Sequence, residues 1–488
     1  MFLDCGKTGR FRHLIISAIR RESAKRTCKI GSLNKQEKTF RYDVAILGGG
    51  PAGTATALSL RQHAPSLSLA LIEQSTYDSI RIGETLPPIV QPLLEQLGVW
   101  NAFLNEEHVP AYGSCAAWGS DKLLDNEFIY HPVGRGWHLD RTRFDAMLAR
   151  EATNRSIASY PGSKFITSQP TGQKRWRLAI QDENRDEISI QADFVVDATG
   201  RRSVFARQQG VRKVFLDQLF GVFVFFTLNG GSPLTDSYTM VEAWEEGWWY
   251  SALVPDKKIA VVCMSDIDIV KRIGLTSSTK WIELMNETRY IKDRVRDAEP
   301  VAAPSVHAAH SQHLERVAGD AWLAVGDAAT TFDPLSSLGI FKGLRSGIMA
   351  SYAIADYFKG SSSSLEKYEA ILAKEFEEYL STRTDYYGRE RRWKSSPFWQ
   401  RRYDQVTLDP RQMLRLSEMP GKAAAVERLS MHLPVPDLKY LCDICVVPRQ
   451  AQEIVSKFKA RRKSVQDRRV ILALQYLVAE GMIQAAAE

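Results

Sequence analysis

Cysteine is scarce. Six cysteines in 488 residues, unevenly placed, cannot build a disulfide framework, and they fit a reducing, cytoplasmic setting. Long apolar runs are also missing. No segment approaches the ~18 to 20 apolar residues of a membrane span, and Leu14 to Ile19, interrupted by Ser17, is too short for a secretory core. Metal-ligand spacing is equally thin. Cys442 and Cys445 form one C-x-x-C with no second pair behind it, so they read as part of a helical core. His307, His310 and His313 recur every three residues, a spacing that would put them on one helical face, but no acid-rich helix surrounds them.

A net excess of one charge is absent from most of the chain. The formal charge is +7, but residues 1–40 hold ten bases, from Lys7 to Lys38, and only Asp4, Glu22 and Glu37 as acids. The other 448 residues therefore carry 54 charges of each sign, which argues against a nucleic-acid surface. Residues 1–40 read as a basic, disordered leader. It is either a plain tail or an upstream start, or else an arm that steers an acidic partner. With 44% hydrophobic and 25% charged residues, the rest has ample material for packed cores.

What is present is a phosphate-binding unit. Tyr42 to Leu47 is a short apolar run ending in Gly48-Gly49-Gly50-Pro51-Ala52-Gly53, followed by a helix-compatible stretch, a second apolar run (Leu67 to Ile72) and Glu73. Strand, glycine turn, helix, strand and acid in that order form a dinucleotide-binding βαβ unit. Gly48 permits the turn, Gly50 admits a pyrophosphate and Gly53 lets the helix pack closely. The helix N-terminus offers free N–H groups, and Glu73 is placed to accept bonds from a ribose diol. The pattern alone does not separate FAD from NAD.

Later segments do. Ile82-Gly83-Glu84-Thr85-Leu86-Pro87-Pro88, His138 to Asp145 (HLDRTRFD), Asp197-Ala198-Thr199-Gly200, Ala321 to Ala329 with its Gly326-Asp327, and Phe332 to Ile340 (FDPLSSLGI) occur in an order that resembles the FAD-dependent monooxygenase and halogenase superfamily. The resemblance covers roughly residues 42 to 400. It implies an α/β fold: a p-hydroxybenzoate hydroxylase-like, Rossmann-type FAD-binding domain (41–200 and 315–360), an inserted antiparallel, β-rich substrate domain (201–314) and a helical C-terminal region (361–488). It also implies that Asp327 binds the ribitol of FAD and that Pro334, Gly339 and Ile340 bring backbone to the isoalloxazine. Arg143 would lie near the FAD phosphates or ribose.

The block Tyr386 to Trp399 resembles the tryptophan-halogenase-like branch, yet the halogenation residues are missing. Tyr250-Ser251-Ala252-Leu253-Val254-Pro255 replaces a W-x-W-x-I-P signature, Val109 to Trp118 holds no lysine, and Ser336 stands where a glutamate is usual. This combination resembles the flavoprotein monooxygenase of quinohemoprotein amine dehydrogenase maturation. The resemblance implies oxygen insertion through a flavin C4a-hydroperoxide into a peptidyl tryptophan on the way to a tryptophylquinone. Its partners would be a protein substrate carrying that tryptophan (an amine dehydrogenase small subunit), a radical-SAM enzyme and O2. The alternative is a small-molecule aromatic hydroxylase or halogenase. No second G-x-G-x-x-G is evident, so the reductant is either NAD(P)H in transient contact or a separate flavin reductase. His307 and His310, just ahead of the Gly-Asp strand, are the candidates for a catalytic role, with a purely structural role as the competing reading.

Overall fold

Strand β1 (Thr39–Leu47) grows steadily more buried along its length and ends at the glycine turn. Helix α1 (Pro51–His63) and the wholly buried strand β2 (Leu69–Ile72) complete the βαβ unit, with β2 parallel to β1. These come from a computed structural model, which describes residues 39–486 apart from 173–174, 230–236, 362, 404–407, 418–432, 464, 466 and 480. The leader reading therefore lies almost entirely outside the described residues.

The chain then leaves this sheet. Strands β3 (Gly113–Ala117) and β4 (Leu124–Glu127) belong elsewhere. Helix α2 (Arg141–Asn154) brings it back, started by the Asp140 carboxylate, which accepts the N–H groups of Thr142 and Arg143. Strand β5 (Ala158–Tyr160) pairs with β2, and an antiparallel excursion, β6 (Lys164–Thr171) and β7 (Arg175–Gln181), leads into β8 (Glu187–Asp197) beside β1.

The second sheet holds β9 (Leu219–Leu228), β10 (Tyr238–Trp244), β11 (Gly247–Val254), β12 (Lys258–Asp266) and β13 (Ser305–Ala308). It is not confined to residues 201–314, because β3 pairs parallel to β10 and carries β4 with it as the far edge. Trp248, Trp249 and Trp281 are fully buried against it. Burying an aromatic of this size contributes roughly 4 to 6 kcal/mol by area.

Strand β14 (Gln312–Leu314) follows, and β15 (Trp322–Ala324) returns to the first sheet beside β8. Helix α3 (Gly339–Phe358) packs on α1. A Cβ at Gly347 would lie 2.4 Å from the Ala52 carbonyl, so this contact requires glycine. Helix α4 (Ser363–Arg389) packs Leu365, Tyr368 and Leu372 into the apolar cluster of the first sheet and Tyr387 into one beside the second.

Two expectations need correction. The histidine triplet is not on a helix: His307 is on β13 and His313 on β14, with His310 between them. The C-terminal region is not purely helical either. Its helices enclose a three-stranded sheet (Met413–Leu416, Arg449–Gln450 and Ile483–Ala485), and Cys445 is buried in the apolar cluster beneath them. Among the described residues no helix is long and apolar enough to cross a membrane.

Candidate active site

The glycine turn is built as its spacing requires. Gly48 has φ +116°, and a Cβ there would meet the Ala198 carbonyl at 2.1 Å; one at Gly53 would lie 1.9 Å from the Gly48 carbonyl. Gly50 instead faces open space, so its backbone is free for a ligand. Glu73 is already occupied: it accepts the Gly49 N–H at 2.7 Å on one oxygen and the Ser75 N–H, the Ser75 hydroxyl and Arg81 on the other. It braces the turn from behind and does not line the cavity.

The Gly-Asp turn approaches from β15. Gly326, at φ +56°, brings Asp327 to the cavity beside Ala52. Burial would raise the Asp327 carboxyl, but the Lys342 ammonium at 2.8 Å and the Arg201 guanidinium at 3.6 Å hold it below the usual carboxylate range.

The Pro-Leu turn, Pro334–Ser336, is held by Asp333. One Asp333 oxygen accepts the Leu335 N–H, and the other accepts the Tyr387 hydroxyl at 2.8 Å and the Arg383 guanidinium at 3.3 Å. The Tyr387 hydroxyl in turn accepts the Trp248 indole N–H at 3.0 Å. Ser336, in the glutamate's place, donates to the Asp333 carbonyl.

These pieces surround a cavity of about 380 Å3. Gly50, Pro51, Ala52, Asp327, Pro334, Gly339 and Ile340 line it together, with His307 opposite on the second sheet. Gly48 and Gly53 support the turn from outside. His310 does not reach the cavity: its ring packs against Phe215 and Phe220, and its Nε2 meets Gln312. Arg143 points away and pairs with Asp256 at 2.7 Å. Two residues apart on a helix means roughly 200° of rotation, so it is Arg141 that faces the cavity, with Arg81 beside it.

Sequence reasoning also passed over Glu84, a buried carboxyl in the cavity wall that burial pushes up. A second cavity of about 830 Å3 adjoins the first, and the two share Thr85, Phe332, Asp333 and Ser337. One wall of it is Ser114, Cys115 and Ala116 of β3, and the other comes from α3 and α4. Among the described residues the one lysine lining either cavity is Lys342, from a different element than the strand searched for it. Tyr250, in the tryptophan's place, donates to or accepts from Thr85 at 2.6 Å where the two cavities meet.

A glycine turn, a Gly-Asp turn and a Pro-Leu turn converging on one cavity beneath a largely antiparallel sheet define a flavoprotein of the hydroxylase and halogenase fold. Residues 41–378 match the family described as the FAD binding domain. The chain belongs to that family, and its cofactor is FAD.

It is 32% identical over 364 residues to LodB of Marinomonas mediterranea, a protein named as an FAD-dependent oxidoreductase, covering 74% of this chain and 97% of that one. The myxobacterial chondrochloren halogenase CndH shares the fold, with TM-score 0.70, 20% identity, and 75% of this chain and 87% of that one covered. The peptidyl tryptophan dihydroxylase QhpG, essential for tryptophylquinone cofactor biogenesis, does so at TM-score 0.58 and 19% identity, over 90% of this chain and 99% of that one.

The open face at Gly50 and the cavity-facing Asp327 suit the cofactor. The first turn of α1 would take its phosphates, Asp327 its sugar-alcohol chain, and the Pro334 to Gly339 backbone its ring system.

Proposed function

We propose that this oxidoreductase hydroxylates an electron-rich aromatic ring, namely a peptidyl tryptophan of a protein substrate during tryptophylquinone biogenesis. The observation that carries the reading is the second cavity: it is larger than the flavin cavity, adjoins it at Thr85, and presents Ser114, Cys115 and Ala116 on the strand searched for a halogenase lysine. The likeness to QhpG over nearly the whole of both chains points the same way. FAD, once reduced, supplies the oxygen activation.

This chain's part is to hold and shield. The sheet residues Phe223, Trp248, Val262 and Met264 give the flavin cavity a largely apolar roof that keeps water from the reacting centre. Asp327 and the Pro-Leu turn fix the cofactor against the opening to the second cavity. His307, whose Nε2 meets only the Ser305 hydroxyl at 3.1 Å, and the buried Glu84 are the groups placed to hold a proton there. O2 and a source of electrons, NAD(P)H or a flavin reductase, complete the partner set. A radical-SAM enzyme would act on the same substrate protein.

The test is to incubate reduced enzyme and O2 with the crosslinked amine dehydrogenase small subunit and read added oxygen on tryptophan by mass spectrometry, for wild type and His307→Ala. Added oxygen supports the reading. No mass change on the protein, together with oxidation or halogenation of a free indole, phenol or pyrrole, overturns it.

A further inference from the structure

Lys342 sits one turn into α3, and its side chain is only 3% exposed. Its ammonium donates to Asp327 at 2.8 Å and to the Thr330 carbonyl, and lies 4.9 Å from the centre of the Phe332 ring. All three contacts belong to one segment, Gly326 to Leu338, which joins β15 to α3 and carries both cofactor-facing features at its two ends: Asp327 and the Pro-Leu turn. We infer that Lys342 is a positioning residue for FAD, stapling this segment to α3 so that the Asp327 carboxylate and the Pro334 to Gly339 backbone meet the cofactor in fixed register.

The energetics favour a role of this kind. Burying an ammonium is costly even when it is paired, and apolar side chains of similar shape often replace a whole buried pair with equal or greater stability, whereas removal of one partner alone leaves the other charge uncompensated. General packing therefore gives no reason for a lysine here. The partner gives one. Asp327 is 37% exposed, towards the cavity, and among the described residues Lys342 is its hydrogen-bond donor, with Arg201 further away at 3.6 Å. Without Lys342 the carboxylate keeps its place in the wall and Arg201 at 3.6 Å, but loses its hydrogen-bond donor and the nearest of the charges that hold it low. Lysine does this with its side chain almost wholly buried.

The experiment is titration of the full-length apoprotein with FAD, read by flavin fluorescence, alongside urea denaturation without FAD. Lys342→Met is expected to raise the FAD dissociation constant about tenfold, equivalent to about 1.4 kcal/mol, and to lower the apoprotein midpoint as well, since Asp327 loses its paired partner. Asp327→Asn is expected to weaken FAD binding similarly, and the double variant to lose less than the product of the two single losses, the remainder coming from the Thr330 and Phe332 contacts of Lys342. Wild-type FAD affinity in Lys342→Met, or losses that multiply in the double variant, would overturn the inference. If Lys342→Met does not fold, Lys342→Gln keeps a donor without the charge. It should show a smaller loss of affinity, and wild-type affinity there is again refuting. No substrate enters the assay, so its outcome is independent of which ring the enzyme oxidises.

Discussion

Tyr387→Phe removes one oxygen from behind the Pro-Leu turn and leaves the ring in place. The hydroxyl accepts the Trp248 indole N–H at 3.0 Å and donates to Asp333 at 2.8 Å, and both Tyr387 and Trp248 are fully buried. A bond to a charged group contributes about 1.5 to 3 kcal/mol, and a buried donor left unpaired costs about 1 to 3 kcal/mol. The packing of Arg383 and Arg402 over the ring, at 5.0 and 5.1 Å, survives the change. Asp333 also keeps Arg383 and the Leu335 N–H, which limits the loss. The net expectation is about 3 to 4 kcal/mol. Equilibrium urea denaturation of the holoenzyme reads it, provided two probes give coincident transitions. Because Asp333 holds the Leu335 N–H of the Pro-Leu turn, the flavin absorption spectrum should shift in the same variant. A loss below 1 kcal/mol with an unaltered flavin spectrum would refute the claim that this chain of bonds holds the turn.

Burial lowers His108 to about 4 and His138 to about 3, so both fold as neutral rings. Their folded pKa values lie below the unfolded value of ~6.5, so the unfolded state binds more protons and stability falls as pH drops from ~6.5 towards 4. At pH 5 the pair should have cost roughly 4 kcal/mol relative to pH 8, and His138→Gln should remove about half of that slope in pH-dependent denaturation; an unchanged slope would show that the ring is not buried neutral. On α2, Arg143→Ala breaks only exposed ion pairs, worth about 0 to 1 kcal/mol, and should leave FAD affinity within about twofold. Arg141→Ala removes a cavity-lining guanidinium that also ties Asp145 to the Ile82 carbonyl, and should weaken FAD binding about tenfold or more. Equal effects of the two substitutions would refute the assignment of the helix face.

The cofactor turns were legible in the sequence because backbone geometry leaves few alternatives. Gly48 and Gly53 occupy positions where any Cβ collides with a carbonyl, and such constraints are local enough to read from spacing. Side-chain direction was harder. Arg143 and Arg141 differ only in helical phase, which is fixed once Asp140 is recognised as the cap. Glu73 was correctly placed at the strand end, but the nearby Ser75 and Arg81 occupy its oxygens. Non-local pairing left the weakest trace. β3 joins the second sheet by lying against β10, more than a hundred residues later, and nothing between Gly113 and Ala117 announces that partner. Lys342 could have been noticed as a charge on the buried face of an otherwise apolar helix, yet its partner Asp327 lies across a loop and two turns.

The aromatic block from Tyr386 to Trp399 shows how a marker of resemblance acquires a mechanical role. In the sequence it identified a branch and nothing more. In the fold, Tyr387 reaches Asp333, Trp118 donates to the Tyr386 carbonyl, and Trp399 donates to the Trp244 carbonyl on β10. Glu390 accepts the Gly119 N–H just beyond β3. The block thus ties the end of α4 to the Pro-Leu turn, to the β3 wall of the second cavity and to the antiparallel sheet at once. The block is in this way a frame that sets one cavity against the other. The side chains of the second cavity are those that would meet whatever the flavin delivers, which is why the identity of the substrate has to be tested at the second cavity and not at the flavin.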